Sequence, residues 1–146
     1  MKSRYIISAF ALMLSLGSYA QKDQLKALEK AIKNFEPTAV KNALSAAEGV
    51  IANATDQEKA QFYFLKGNAL LELANKNIQT GNNLKNAAKS YQDLLSTEKK
   101  IGKKKYSEQA ENSLTEVKNK LINSAIKDSD EKRFKEILKN CSLITC

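Results

Sequence analysis

Residues 61–96 read QFYFLKGNALLELANKNIQTGNNLKNAAKSYQDLLS. Phe62, Leu65, Ala69 and Leu73 fall at three- and four-residue steps, and so do Leu84, Ala87, Ala88, Tyr91, Leu94 and Leu95. Such steps bring side chains onto one face of an α-helix. Between the two runs, Thr80-Gly81-Asn82-Asn83 carries the strongest turn chemistry of the chain, because Gly and Asn tolerate the left-handed backbone that a reversal needs. The stretch therefore predicts a helical hairpin, with Gly67 near the middle of its first helix and Ala87, Tyr91 and Leu94 one turn apart on its second. Hairpins of this kind stack into arrays that offer a concave surface to another molecule, so the pattern points to binding rather than catalysis.

The flanking sequence continues in the same mode. Leu25, Leu28, Ile32 and Phe35 predict a first helix from Lys22 to Phe35, which Pro37 closes. Pro37 also suits the start of the next helix, where its missing N–H is not needed. Val40, Leu44, Ala47 and Ile51 form the stripe of that second helix, and Ala43, Ala46 and Ala47 make it thin enough for close packing. Asn53-Ala54-Thr55-Asp56 breaks the pattern, and Thr55 or Asp56 then caps a third helix with Glu58 in its positive first turn. Phe64, Leu70 and Leu71 widen the stripe of that helix, as expected of one touched on two sides.

Beyond the hairpin, Ile101-Gly102 ends the fourth helix, and Tyr106, Ala110, Leu114, Val117, Leu121 and Ala125 define a fifth. Asp128-Ser129-Asp130 supplies a turn before a short sixth helix with Phe134, Ile137 and Leu138. No segment alternates with period two for long enough to be a strand, and the whole chain has five glycines and one proline, so the expected class is all-α with short connections. Antiparallel hairpins stacked in sequence are the expected architecture, with a compact helical bundle as the alternative.

Tyr63 and Gly67 in one helix, then Ala87, Tyr91 and Leu94 in the next, resemble the tetratricopeptide repeat family. Its repeat pairs an aromatic residue with a following glycine on the first helix, and an alanine with an aromatic four residues later on the second. Ala110 and Phe134 extend the likeness over 107–140, while 22–53 is similar in architecture alone. The interval from Gly67 to Ala87 is about eight residues longer than the family's, and the closing proline of the repeat is missing. The resemblance implies a right-handed superhelix that binds proteins or peptides, and it transfers no catalytic residue. Its motif positions hold helices together, leaving the ligand to others.

The ends bound the compartment. Lys2 and Arg4 precede an apolar run from Tyr5 to Leu16, and Gly17-Ser18-Tyr19-Ala20 closes with small residues. That is the form of a secretory signal peptide over 1–20, its apolar core of about 12 residues being shorter than the roughly 20 needed to cross a bilayer. A repeat domain over 21–140 and a tail over 141–146 follow. Export to a bacterial envelope is expected, with the periplasm as destination and the outer membrane or the medium as alternatives.

Lys plus Arg number 24 against 16 Asp plus Glu, and the acids are scattered through every helix, which describes a solvated basic surface. Only Lys99, Lys100, Lys103, Lys104 and Lys105 form a dense run, a candidate anion-binding segment for an acidic envelope surface; nucleic acid is not an expected partner of an exported chain. There is no histidine, which removes the usual general base, the common nucleophile pairs and the usual zinc ligand sets. Carboxylate pairs such as Glu108 and Glu111 read as surface groups beside lysines, and the Asn-rich segment from Asn75 to Asn86 as turn and cap residues rather than a calcium loop. No enzyme activity, cofactor or metal is expected. Cys141 and Cys146, the only cysteines, can close a terminal loop but make no disulfide framework. The expected partner is a protein or peptide, with weak self-association through the C-terminal edge, where Ile137 and Leu138 have no polar capping helix after them.

Overall fold

The computed structural model describes residues 21–127 and 137–141. The expected leader, the Asp128-Ser129-Asp130 turn, Phe134 and Cys146 lie outside them. Every regular element among the described residues is helical. Helix α1 covers 21–34, α2 Pro37–Val50, α3 Asp56–Asn75, α4 Thr80–Ile101 and α5 Ser107–Lys127, and 137–141 form one further helical turn. The all-α expectation holds.

Leu25 and Leu28 are the buried apolar positions of α1, with Ala31, Ile32 and Phe35 packed beside them. The helix stops because the residue before a proline avoids helical backbone: Glu36 is extended at φ −119° and ψ 122°. The same Glu36 then starts α2, its carboxylate accepting the backbone N–H groups of Thr38 and Ala39 at 2.9 and 2.6 Å. These hydrogen bonds, first Thr38 and then Ala39, hold the Glu36 carboxyl below its ordinary range. Gln21 donates from Nε2 to the Val50 carbonyl at 3.2 Å, so the start of α1 meets the end of α2 and the two run antiparallel. In α2 the buried stripe is Val40, Leu44 and Ala47; Ala46 faces solvent, contrary to the expected close-packing role, and Ile51 belongs to the single 3₁₀ turn Ile51–Asn53.

Thr55 caps α3 as a capping box. Its hydroxyl accepts the Glu58 N–H at 3.3 Å, while the Glu58 carboxylate accepts the Thr55 N–H at 3.0 Å. Nine residues of α3 are buried on several faces, including Ala60, Phe62, Leu65, Gly67 and Leu71, because α3 lies between neighbours on more than one side. One hydrophobic cluster runs from Leu25 through α2, α3 and α4 to Cys141.

The reversal into α4 falls earlier than the sequence predicts. Thr80-Gly81-Asn82-Asn83 is the first turn of α4, and the connection is 76–79, where Asn77 and Gln79 adopt left-handed backbone at φ 60° and 43°. Asn83 is drawn into the helix because its side chain has a partner there: Nδ2 donates to the Ile78 carbonyl at 2.7 Å. The α3 and α4 helices are antiparallel, and an ion pair of 2.9 Å between Lys100 and Asp56 ties their far ends. Gly102, at φ 68°, terminates α4 in the left-handed conformation that favours glycine, and Lys103 donates back to the Glu98 carbonyl at 3.2 Å. Helix α5 then returns along α4 through Ala110, Val117 and Leu121.

Candidate functional site

The repeat-motif positions converge on the α3–α4 contact. Tyr91 is fully buried, and its ring lies against the backbone of Gly67 so closely that a β-carbon there would fall 2.5 Å from Cε1. The Tyr91 hydroxyl donates to Asn68 Oδ1 at 2.8 Å, and Ser113 of α5 hydrogen-bonds the same hydroxyl. Three helices thus meet on one side chain. Burial pushes the Tyr91 phenol up to about 12. Ala87, Leu94 and Ala110 are each completely buried, whereas Tyr63 is half-buried, with its ring centroid 5.6 Å from that of Phe62. These residues are packing residues, and Phe134 lies outside the described region.

The lysine run is split by the fold. Lys99 and Lys100 occupy the last turn of α4, where the helix dipole favours cations, and Lys100 is engaged by Asp56. That contact, chiefly its hydrogen bond, lowers the Asp56 carboxyl. Lys103, Lys104 and Lys105 stand exposed in the connection to α5, with Lys105 Nζ 4.9 Å from the centre of the Tyr106 ring. Tyr106 in turn stacks on Phe64 of α3, centroids 4.7 Å apart and planes 17° from parallel. The loop is thereby fixed against α3 rather than left as a hydrated connection.

What fixes it further is Glu98, which composition presents as one more surface acid. It is 1% exposed. Its carboxylate accepts the backbone N–H groups of Lys105, Tyr106 and Ser107 at 3.0, 2.9 and 3.0 Å and the Ser107 hydroxyl at 2.6 Å. Burial raises this carboxyl, but the hydrogen bonds, led by Ser107, together outweigh it and leave Glu98 below its ordinary value. An acid from α4 therefore caps α5 and closes the loop in a single geometry.

Over this loop opens a cleft of about 550 Å³. Lys22 of α1 forms one wall, the first two turns of α3 with Gln57 and Gln61 another, and Ile101, Lys103, Lys105 and Tyr106 the third. A smaller cleft of about 290 Å³ between α2, α3 and α4 is crossed by the ion pair of Lys66 with Glu48 at 2.6 Å. Sequence reasoning found the loop lysines and Tyr106 but missed Lys22, Gln57 and Gln61. Nothing in their own surroundings along the chain marks them.

No group of three or more His, Cys, Asp or Glu that could hold a metal ion occurs among the described residues, and no described helix is long and apolar enough to cross a membrane. At the C-terminal end, Ile137 is packed on the core and Leu138 is 45% exposed, while Cys141 carries a free, buried thiol whose ionisation burial disfavours. No protein-family model, curated protein or solved structure matches the chain.

Proposed function

We propose that the protein is an exported helical-repeat scaffold of the bacterial envelope, a right-handed stack similar to tetratricopeptide repeats that docks a protein or peptide partner in the cleft above the α4–α5 loop. The observation that carries the reading is the Gly67–Tyr91 contact. It brings into direct contact two of the residues the resemblance picks out, one from each helix of the hairpin. The cleft supports it in a second way, since it is concave and is built from three chain segments, on α1, on α3 and at the α4–α5 connection.

A catalytic role has no comparable support. The buried acid, Glu98, has its carboxylate engaged by four donors inside the protein and acts as a cap. The cleft otherwise presents amides, ammonium groups, a phenol and the Thr55–Glu58 pair that caps α3, the equipment of recognition.

The test is retention of envelope proteins by the immobilised protein, wild type against Gln61→Trp, which puts bulk into the cleft from a half-buried position on α3. The reading expects discrete proteins retained by the wild type and lost with the variant at unchanged helicity. Retention of the same set by both would remove the cleft from the account.

A further inference from the structure

The charges around the cleft are arranged unequally. Five ion pairs join lysines to carboxylates among the described residues, and Lys22, Lys103 and Lys105 belong to none of them. Of the two acids in the lining, Glu98 is withdrawn from solvent behind its four donors, whereas Glu58, half-buried in the Thr55 capping box, keeps its carboxylate at the cleft. Three ammonium groups thus stand against one accessible carboxylate, a cationic excess supplied by two separate elements, Lys22 on α1 and Lys103 with Lys105 on the α4–α5 loop. Lys105 is held over the Tyr106 ring, and that ring is fixed by Phe64, so at least one ammonium is positioned before any ligand arrives. Between the cationic walls, Gln57 and Gln61 offer amide donors and acceptors one helical turn apart on α3.

From this arrangement we infer that the occupant of the cleft is an extended acidic segment of a partner protein, whose Asp or Glu carboxylates meet Lys22, Lys103 and Lys105 while its backbone amides bond Gln57 and Gln61. The inference rests on the docking reading above and adds the chemistry of the partner. An extended chain sends alternate side chains to opposite sides, which lets one short segment address both walls. A lipid surface fits less well. The groove is concave, with Ile101 and Tyr106 in its wall, a shape that a flat array of phosphates does not follow.

The test is fluorescence anisotropy of a labelled ten-residue peptide of alternating Glu and Asp, with its Gln and Asn counterpart and phosphatidylglycerol vesicles as the competing probes. The acidic peptide should bind the wild type, and binding should weaken with added salt as exposed charges are screened. The Lys103→Gln, Lys105→Gln double variant should weaken it about tenfold or more, whereas Lys41→Gln on the exposed face of α2 should leave it within about twofold. Lys22→Gln, on another wall and another helix, should also weaken it, so the conclusion does not hang on the loop variant's folding. Equal binding of the amide peptide, equal loss in Lys41→Gln, or lysine-dependent binding to vesicles without binding to the peptide would each overturn the inference. Should the acidic peptide fail while Gln61→Trp still abolishes retention of envelope proteins, the docking reading stands and the acidic chemistry falls.

Discussion

Gly67 and Tyr91 fix the separation of α3 and α4: Tyr91 Cε1, Cζ and Cδ1 all lie within 2.8 Å of the place a β-carbon on residue 67 would occupy. The ring has no room to yield, being fully buried and anchored through its hydroxyl to Asn68. Gly67→Ala gains about 1 kcal/mol of helix propensity but forces the helices apart, which opposes it by about 1 to 3 kcal/mol or more. The expected outcome is a net loss of stability, read as a lower urea midpoint. A variant as stable as the wild type would mean that the crossing is loose.

Tyr91 also makes an alkaline prediction. In the unfolded chain its phenol ionises near 10, and in the fold near 12. Between those values the unfolded state has lost a proton that the native state keeps, so stability falls as pH rises through this window. Tyr91→Phe loses the bond to Asn68, at about 1 kcal/mol near neutral pH, and should show a shallower fall between pH 10 and 11.5. Parallel curves for the two proteins would contradict the assignment.

Glu98 acts at the other end of the scale. Its folded carboxyl lies below the ordinary value of 4.5, so its contribution is fully present above that pH and is lost as pH falls through the folded value. Glu98→Gln keeps the size but replaces acceptor oxygen by a donor facing Ser107, and should cost about 1.5 to 3 kcal/mol at pH 7. Urea midpoints of the two proteins should converge on acidification below pH 4.5; a gap that stays constant would show that the charge of Glu98 is not what holds the loop.

The helices were legible because their apolar residues keep helical spacing and their ends carry recognisable residues, as Thr55, Glu58 and Gly102 show. The α3–α4 turn was misplaced because composition pointed to Thr80-Gly81-Asn82-Asn83, whereas the deciding event is the Asn83 side chain bonding Ile78 while Gln79 takes a left-handed backbone that no propensity announces. Glu36 escaped notice since glutamate is not among the preferred N-caps. Glu98 had a signal that composition hid: it follows Tyr91 and Leu94 on the same buried stripe of α4. The cleft itself joins residues near 22, 57 and 105, and only the packed fold brings them together.

Replacing Lys103, Lys104 and Lys105 together by Gln should leave the fold intact, because all three are exposed and such changes usually shift stability by no more than about 0.5 kcal/mol. The split of the run by the fold makes a sharper statement. Lys100→Gln removes the ion pair that ties Asp56 to α4 and should lower the thermal midpoint, whereas Lys99→Gln, on the same exposed turn, should not. Equal effects from Lys99 and Lys100 would show that general charge, and not the Asp56 contact, matters there.

The docking claim is tested most directly by a photo-activated cross-linking residue placed at Gln57, inside the cleft, and separately at Ser45, on the exposed face of α2, in cells of the native source. The account predicts a discrete protein adduct from position 57 and none from position 45. No adduct from position 57, or the same adducts from both positions, would contradict it.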